Sequence, residues 1–280
     1  MALRRLAVFA AALALGCPGP EESGPSAAPP AASRAPRIVS LTPLATRFLV
    51  ELGVAPQLVA VDAVSRGLQG VDDMQVATLE TAYHFDPDLV LLPALPDDVR
   101  SLSVLEGVGA RVIQFAPHDL EDVFALCRSV AGPLVGEDAA TAFERRIARP
   151  LSLIAGEASP DDRPRILALV SIDPPEIAGG HSFETDLIEI AGGSSITHGS
   201  DDNRRPIDTA GLESLAPDRV VVMTSQPLSA ADEDRALRLV DGVAPVDFFQ
   251  FERETFWLDE PADDAARLRA SFLAAGLAGP

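Results

Sequence analysis

Two distant stretches of this chain carry the same arrangement, Phe85-Asp86-Pro87-Asp88-Leu89-Val90-Leu91-Leu92 and Leu215-Ala216-Pro217-Asp218-Arg219-Val220-Val221-Val222-Met223. In each, an amphipathic helical stretch meets a proline, whose missing N–H and fixed φ cannot extend it. An aspartate then opens an apolar run of the length of a strand covered on both faces. One fold unit has been used twice. A chain made of two similar α/β halves has a cleft between them at the strand ends, where ligands of such sheets sit.

The N-terminus sets the compartment. Arg4 and Arg5 precede an apolar run over residues 6–15 that is short for a membrane span and closes in small residues, the pattern of a secretory signal. It ends Ala14-Leu15-Gly16-Cys17, which resembles a bacterial lipobox, in which the cysteine is acylated and becomes the first residue of the mature chain. Leucine is commoner three places before the cysteine, and here Ala14 stands there between Leu13 and Leu15. The competing reading is ordinary cleavage nearby, with Cys17 discarded. Residues 18–36 are rich in Pro, Ala, Ser, Gly and Glu and hold no large apolar residue, so they read as a disordered tether. The folded part starts near Arg37 and is long enough for one large core or two modest ones. With Cys17 acylated only Cys127 remains, and no intrachain disulfide can form. Cys127 falls at helical spacing among Val123, Phe124, Leu126 and Val130 and reads as a small buried hydrophobe.

Charge narrows the partners. The net charge of −20 becomes about −22 when Arg4 and Arg5 leave with the signal, and every basic residue is arginine. Nucleic acid and anionic membrane surfaces are poor partners for such a body. The acidic residues are scattered and read as a solvated surface.

Strand and helix signals alternate along the chain. Strands are predicted over 38–41, 58–61, 89–92 and 111–115. Helices fall over 43–52, with Thr42 as N-cap, Pro43 at its first position and Gly53 closing it, then over 99–107 and 119–131. A first lobe over 37–136 follows, strand-helix throughout, hence with a parallel sheet. Residues 137–160 form a long amphipathic helix with Phe143, Ile147, Leu151 and Ile154 on one face and an expected kink at Pro150. It links to a second lobe over 161–280. There, strands are predicted over 165–170, 219–223 and 246–249. Helices are predicted over 182–190, 230–240 and 262–275, the last with Ala266, Leu268 and Phe272 inward. The fold class is α/β, two lobes with parallel sheets joined by a long helix, and closure about a ligand should be small.

Arg37-Ile38-Val39-Ser40-Leu41-Thr42-Pro43, residues 53–62, Glu80 with Asp86-Pro87-Asp88-Leu89-Val90, and Leu187-Ile188-Glu189-Ile190-Ala191-Gly192-Gly193 followed by Pro217-Asp218 resemble the periplasmic cobalamin and ferric-siderophore binding family. The likeness covers nearly all of the chain after the tether and rests on the order and spacing of its motifs together with the lipoprotein start. It implies two lobes on a helical backbone and a monomer that delivers a bound metal chelate or corrinoid to the membrane subunits of an ABC importer. It also implies a glutamate on each lobe, seven residues before the Pro-Asp pair, that meets arginines of the importer. Glu80 holds that place in the first lobe. Ala210 holds it in the second, where Asp208, two residues earlier, is the substitute, a shorter carboxylate displaced along the helix.

The candidate ligand contacts are Thr42, Asp62 and Arg66 in the first lobe and His181, Ser182, Arg204, Arg205 and Trp257 in the second. Arg66 and Arg205 stand where cobalamin binders of the family place aromatics, and a guanidinium suits carboxylate or catecholate oxygens. Equally, Arg204 and Arg205 pair with Asp201 and Asp202 on a surface loop. Trp257 either stacks on a flat ligand or packs beneath the final helix. His84, His118, His181 and His198 are dispersed. Direct metal binding and haem ligation stay as lesser alternatives, with His181 the histidine best placed for a ligand. No resident cofactor is expected, nor an enzyme: no Gly-x-Ser-x-Gly elbow, phosphate-cradling loop or cysteine cluster occurs, and adjacency of His181 and Ser182 does not make a nucleophile and base. A scaffold lipoprotein no longer coupled to transport is the third reading.

Overall fold

Each Pro-Asp repeat builds a corner that joins a helical turn to a buried strand. The computed structural model describes residues 34–93, 99–157, 163–253, 255–259 and 261–276. The signal segment, Cys17, most of the tether and the end of the expected linking helix lie outside the described residues.

The first lobe holds β1 (Ile38–Ser40), β2 (Leu58–Val61), β3 (Gln75–Val76), β4 (Leu89–Leu92) and β5 (Arg111–Gln114), all parallel, in the order β3-β2-β1-β4-β5. Successive strand residues serve opposite faces. Ile38, Leu89 and Leu91 pack with Phe48 and Leu49 of α1 (Pro43–Glu51). Val39, Val90 and Leu92 meet Leu105 of α2 (Val99–Gly107) on the other face. Both faces are covered, which is why β4 is an uninterrupted apolar run. Thr42 has the extended geometry of an N-cap, but its side chain makes no capping bond; Pro43 needs none at that position.

The helix expected over 119–131 is divided. Asp119 caps α3 (Leu120–Leu126) by accepting from the Asp122 N–H at 2.8 Å. Residues Cys127–Ala131 then widen into a π-helical turn, in which the Gly132 N–H reaches back to the Cys127 carbonyl. Pro133, at the start of α4 (Gly132–Val135), has no N–H to give to the preceding turn, and a wider turn accommodates it. Burial pushes the Cys127 thiol up to about 12, so it stays protonated and inert. Helix α5 (Glu137–Gly156) runs unbroken through Pro150 and buries Ala140, Phe143, Ile147 and Leu151.

The second lobe contains β6 (Arg165–Ile172), β7 (Pro175–Ala178), α6 (Phe183–Ala191), β8 (Ser194–Ser195), β9 (Arg204–Pro206), α7 (Thr209–Leu215), β10 (Arg219–Thr224), α8 (Ala230–Leu239), β11 (Val246–Gln250) and α9 (Pro261–Ala274). Its sheet runs β11-β10-β6-β7-β9, with β8 beside β6. The sheet is parallel where the sequence read it so, across β11, β10 and β6; the short β8, not expected from the sequence, also pairs parallel to β6, but β7 and β9 pair antiparallel and make the sheet mixed. Prolines at the start of β7 and the end of β9, with two arginines on an edge strand, hid both elements. In α9 the inward residues are Ala265, Leu268 and Phe272; Ala266 is exposed, one position off the buried stripe.

The two corners match atom for atom. The Asp88 carboxylate accepts from the Arg37 N–H at 2.7 Å, and Asp218 accepts from the Arg165 N–H at 2.7 Å. The same arginines turn their guanidinium groups onto the carbonyls that end the preceding helical turn, Arg37 onto Phe85 at 2.8 Å and Arg165 onto Leu215 at 2.9 Å. Between turn and proline sit Asp86 and Ala216, among the described residues the only non-glycine ones with positive φ, at 46° and 44°. One apolar cluster runs from Ile38 and Phe48 through α5 to Leu187, Leu268 and Phe272, so the lobes share a core.

Asp218→Ala should lower stability by about 1–3 kcal/mol, because the Arg165 N–H loses its charged acceptor. Ala216→Gly should raise it by about 1 kcal/mol, because a side chain in the left-handed region is relieved. Urea unfolding of both variants checks the pair.

Candidate functional site

Of the first-lobe loops, the one after β5 meets the second lobe directly. After β2, Asp62 folds its loop back: its carboxylate accepts from the N–H groups of Val64 (2.9 Å) and Ser65 (3.0 Å) and from the Ser65 hydroxyl. That turn presents Val64 and Arg66 outward, and among the described residues the Arg66 guanidinium has only a long contact, 3.5 Å, to the Asp72 carbonyl. After β5, residues 115–120 form the main bridge to the other lobe. Asn203 Nδ2 donates to His118 Nδ1 at 3.0 Å, His181 Nδ1 donates to Asp119 Oδ2 at 2.9 Å, and the Leu120 N–H donates to Asp186 Oδ2 at 2.7 Å.

The second lobe reaches this seam through Gly179-Gly180-His181-Ser182. The backbone of the two glycines lies directly against Ser200 and Asp202, too close for any side chain, with bonds from Gly179 N–H to Asn203 O (2.8 Å) and His181 N–H to Asp202 O (3.0 Å). The glycines therefore allow the loop over 198–203 to dock and aim His181 at the first lobe. Ser182 is buried and occupied within its own lobe: it caps α6 by accepting from the Thr185 N–H and donates to the Gly179 carbonyl at 2.8 Å. Thr42 is likewise buried.

A buried carboxylate organises the arginines. Glu184, 2 % exposed, lies 2.8 Å from Arg253 Nε and 3.9 Å from Arg204, and Arg253 also donates to Asn203 at 3.1 Å. The expected partners Asp201 and Asp202 do not hold Arg204; Glu184 does. Arg205 on the edge strand β9 makes no side-chain hydrogen bond or ion pair among the described residues. Sequence reading missed Glu184 and Arg253, since a glutamate in a first helical turn ordinarily faces water.

Trp257 is 1 % exposed and wedges into the first lobe, its ring centroid 6.0 Å from Phe48 and 6.5 Å from Phe115. It neither lies open for stacking nor packs only beneath α9. Its indole N–H is buried without a hydrogen-bond partner. Beside it a groove of about 830 Å³ runs between α1, α5 and residues 257–263, bridged by the ion pair of Arg47 with Asp259. Arg47 lowers the Asp259 carboxyl below its usual range.

The profile of the periplasmic binding protein family matches residues 38–243. The chain belongs to that family. It is 26 % identical over 170 residues to the vitamin B12-binding protein of Pectobacterium carotovorum, covering 57 % of this chain and 61 % of that protein. To the vitamin B12-binding protein of Yersinia pestis it is 24 % identical over 226 residues, 77 % and 78 % of the two chains. Among solved structures, a possible iron-binding periplasmic protein of Staphylococcus epidermidis superposes with TM-score 0.66 at 16 % identity, over 84 % of this chain and 98 % of that one. The periplasmic vitamin B12 binding protein of Vibrio cholerae gives 0.59 at 20 %, over 86 % and 98 %. A periplasmic heme binding protein of Pseudomonas aeruginosa gives 0.59 at 21 %, over 87 % and 96 %. These likenesses share the two-lobe fold, and the family implies an extracytoplasmic location and substrate binding rather than catalysis.

Of the two carboxylates read as docking groups, Glu80 is exposed and accepts from the Thr78 hydroxyl at 2.7 Å. Asp208 caps α7 by accepting from the Gly211 N–H at 2.8 Å, and Ala210 beside it is exposed. Among the described residues no group of three or more His, Cys, Asp or Glu side chains converges as a metal site.

Replacing Trp257 with alanine should cost about 3–5 kcal/mol in chemical denaturation, as for any large aromatic removed from a packed interior. A cost below about 0.5 kcal/mol would instead mark a surface ring.

Proposed function

We propose that the chain is an extracytoplasmic lipoprotein, anchored through Cys17, that captures a metal chelate at the rim between its lobes and delivers it to an ABC importer. The observation that carries this reading is the family match over both lobes, joined to a seam at which the loop after β5 meets Asn203, His181 and Asp186 of the second lobe. The polarity of that rim names the ligand class. In a chain of net charge −20, Arg66 and Arg205 have no carboxylate partner among the described residues, while Arg204 and Arg253 share one buried glutamate. Unpaired guanidinium groups suit carboxylate, phosphate or catecholate oxygens, so a ferric siderophore or a corrinoid bearing such groups fits better than a bare metal ion. Thr42 and Asp62 shape the first-lobe loops, and Ser182 orients His181. Trp257 serves by holding the lobes in register. Delivery rests on Glu80 and, in the second lobe, Asp208, whose capping bond leaves one carboxylate oxygen for an importer arginine.

A haem-binding variant of the same function has one observation in its favour. His181 donates from Nδ1 to Asp119, which leaves Nε2 as the ligating nitrogen and strengthens it, as carboxylate-bound histidines do at metal sites.

Thermal melts with cyanocobalamin, haemin and a ferric tris-catecholate should show one of them raising Tm by several degrees, and Arg205→Ala should weaken that ligand about tenfold. No shift with any chelate defeats the reading. Cys17→Ser should release the protein from the membrane fraction of its host; unchanged fractionation defeats the anchor.

A further inference from the structure

We propose that the groove beside Glu80 receives an apolar side chain from an arginine-bearing loop of the importer's membrane subunit, a docking site that rests on the importer reading and puts most of the contact on the first lobe. Leu79, Glu80 and Tyr83 form one wall of this groove. Arg100, Ser101 and Val104 of α2 form the other, and between them lies a volume of about 630 Å³.

Nine large apolar side chains stand exposed among the described residues, and four of them belong to this corner: Val76 on β3, Tyr83 in the turn Ala82–Phe85, Val104 on α2 and Val108 just past its end. Single exposed apolar residues need no explanation, but a group on adjoining elements marks a surface for a partner. The core does not require them. Ala82 and Leu105, next in sequence to Tyr83 and Val104, already fill the interior beneath, with Leu79, Phe85 and Leu102 packed against it. Arg100, Val104 and Val108, four apart, make one stripe along the helix. The Tyr83 ring is braced by His84, centroid to centroid 4.0 Å, and the turn packs on α2, so both walls are held in place.

The charges on the walls define the occupant. A carboxylate at Glu80 and the apolar surface of Tyr83 and Val104 match a loop that carries an arginine beside a large apolar side chain: the guanidinium meets Glu80, and the apolar group displaces water from the groove. Anionic lipid headgroups and a second copy of this chain would each set negative charge against a chain of net charge −20. The second lobe has no counterpart. None of the nine exposed apolar side chains lies on α7, where Ala210 stands and the Asp208 carboxylate is already engaged with the Gly211 N–H at 2.8 Å. Where the second lobe lacks a matching glutamate, apolar contact on the first supplies the grip.

Val108→Cys, labelled with a benzophenone maleimide in the full chain on membranes of its host, tests the site; Cys127 is buried and does not compete for the label. Illumination should give an adduct whose partner, identified by mass spectrometry, is a polytopic membrane subunit. The same label at Leu237 on α8, as exposed as Val108, should give none, and at Ala210 about fivefold less. Val104→Asp placed beside the label at 108 should cut the adduct about tenfold and Glu80→Gln about threefold, with far-UV circular dichroism and the chelate-induced melting shift as in the parent chain. If Val104→Asp does not fold, Tyr83→Ser takes its place. An adduct between two copies of this chain or with a soluble protein, no adduct at all, equal yield from Ala210, or full yield in the folded variant would each overturn the groove as the docking site. A melting shift without an adduct leaves ligand capture standing and removes this site; an adduct without a melting shift does the reverse.

Discussion

The bond from an Arg backbone N–H to a Pro-Asp carboxylate, made once in each lobe, is the constraint on which this architecture rests. It ties the first strand of a sheet to the start of its neighbour at the end opposite the rim. With that end clamped, β1 and β4 run in register, as do β6 and β10, and all of these strands leave the sheet in one direction. The loops that carry polar side chains therefore emerge together. A charged acceptor bonded to a backbone donor is worth more than a neutral one, and the guanidinium of the same arginine closes the helical turn that the proline cut short.

The lobes are then held to each other by two kinds of contact. Trp257, Phe48 and Phe115 form an apolar wedge whose burial is insensitive to pH and salt. Around it lie directional bonds from residues 118–120 and the ion pair of Arg47 with Asp259, which is partly exposed and worth less than about 1 kcal/mol. The wedge sets the relative placement of the lobes, and the polar bonds adjust it. The indole N–H and one oxygen of Glu184 are buried without a hydrogen-bond partner among the described residues, which is costly in a packed interior.

Much of this was legible in the chain. Continuous apolar runs announced β4, β6 and β10 because strands covered on both faces need no polar residue, and the duplicated Pro-Asp pair announced the two lobes. Among the elements that escaped were β3, β7, β8 and β9; β3 and β8 are two residues long, and in β7 and β9 prolines and arginines sit on an edge that tolerates them. Among candidate ligand contacts, His181 meets the first lobe and Arg66 is exposed, whereas Ser182 and Trp257 are enclosed. Sequence position told that these residues follow strand ends; it carried no sign of which side of each loop faces water.

Local rules of backbone and hydrophobicity acted within a few residues of each other, and so the sequence alone determined the long buried strands, most helices, their alternation and the family they belong to. Only the tertiary structure decided which distant polar groups meet: Asp119 with His181 and Asp186 with the Leu120 N–H across the lobes, and Glu184 with Arg253 within the second. Those partners are separated by about sixty or seventy residues of chain. Their pairing depends on the packing of both sheets against α5 and on the close passage of Gly179 and Gly180 beside Asp202, and no periodicity or spacing in the chain encodes that approach.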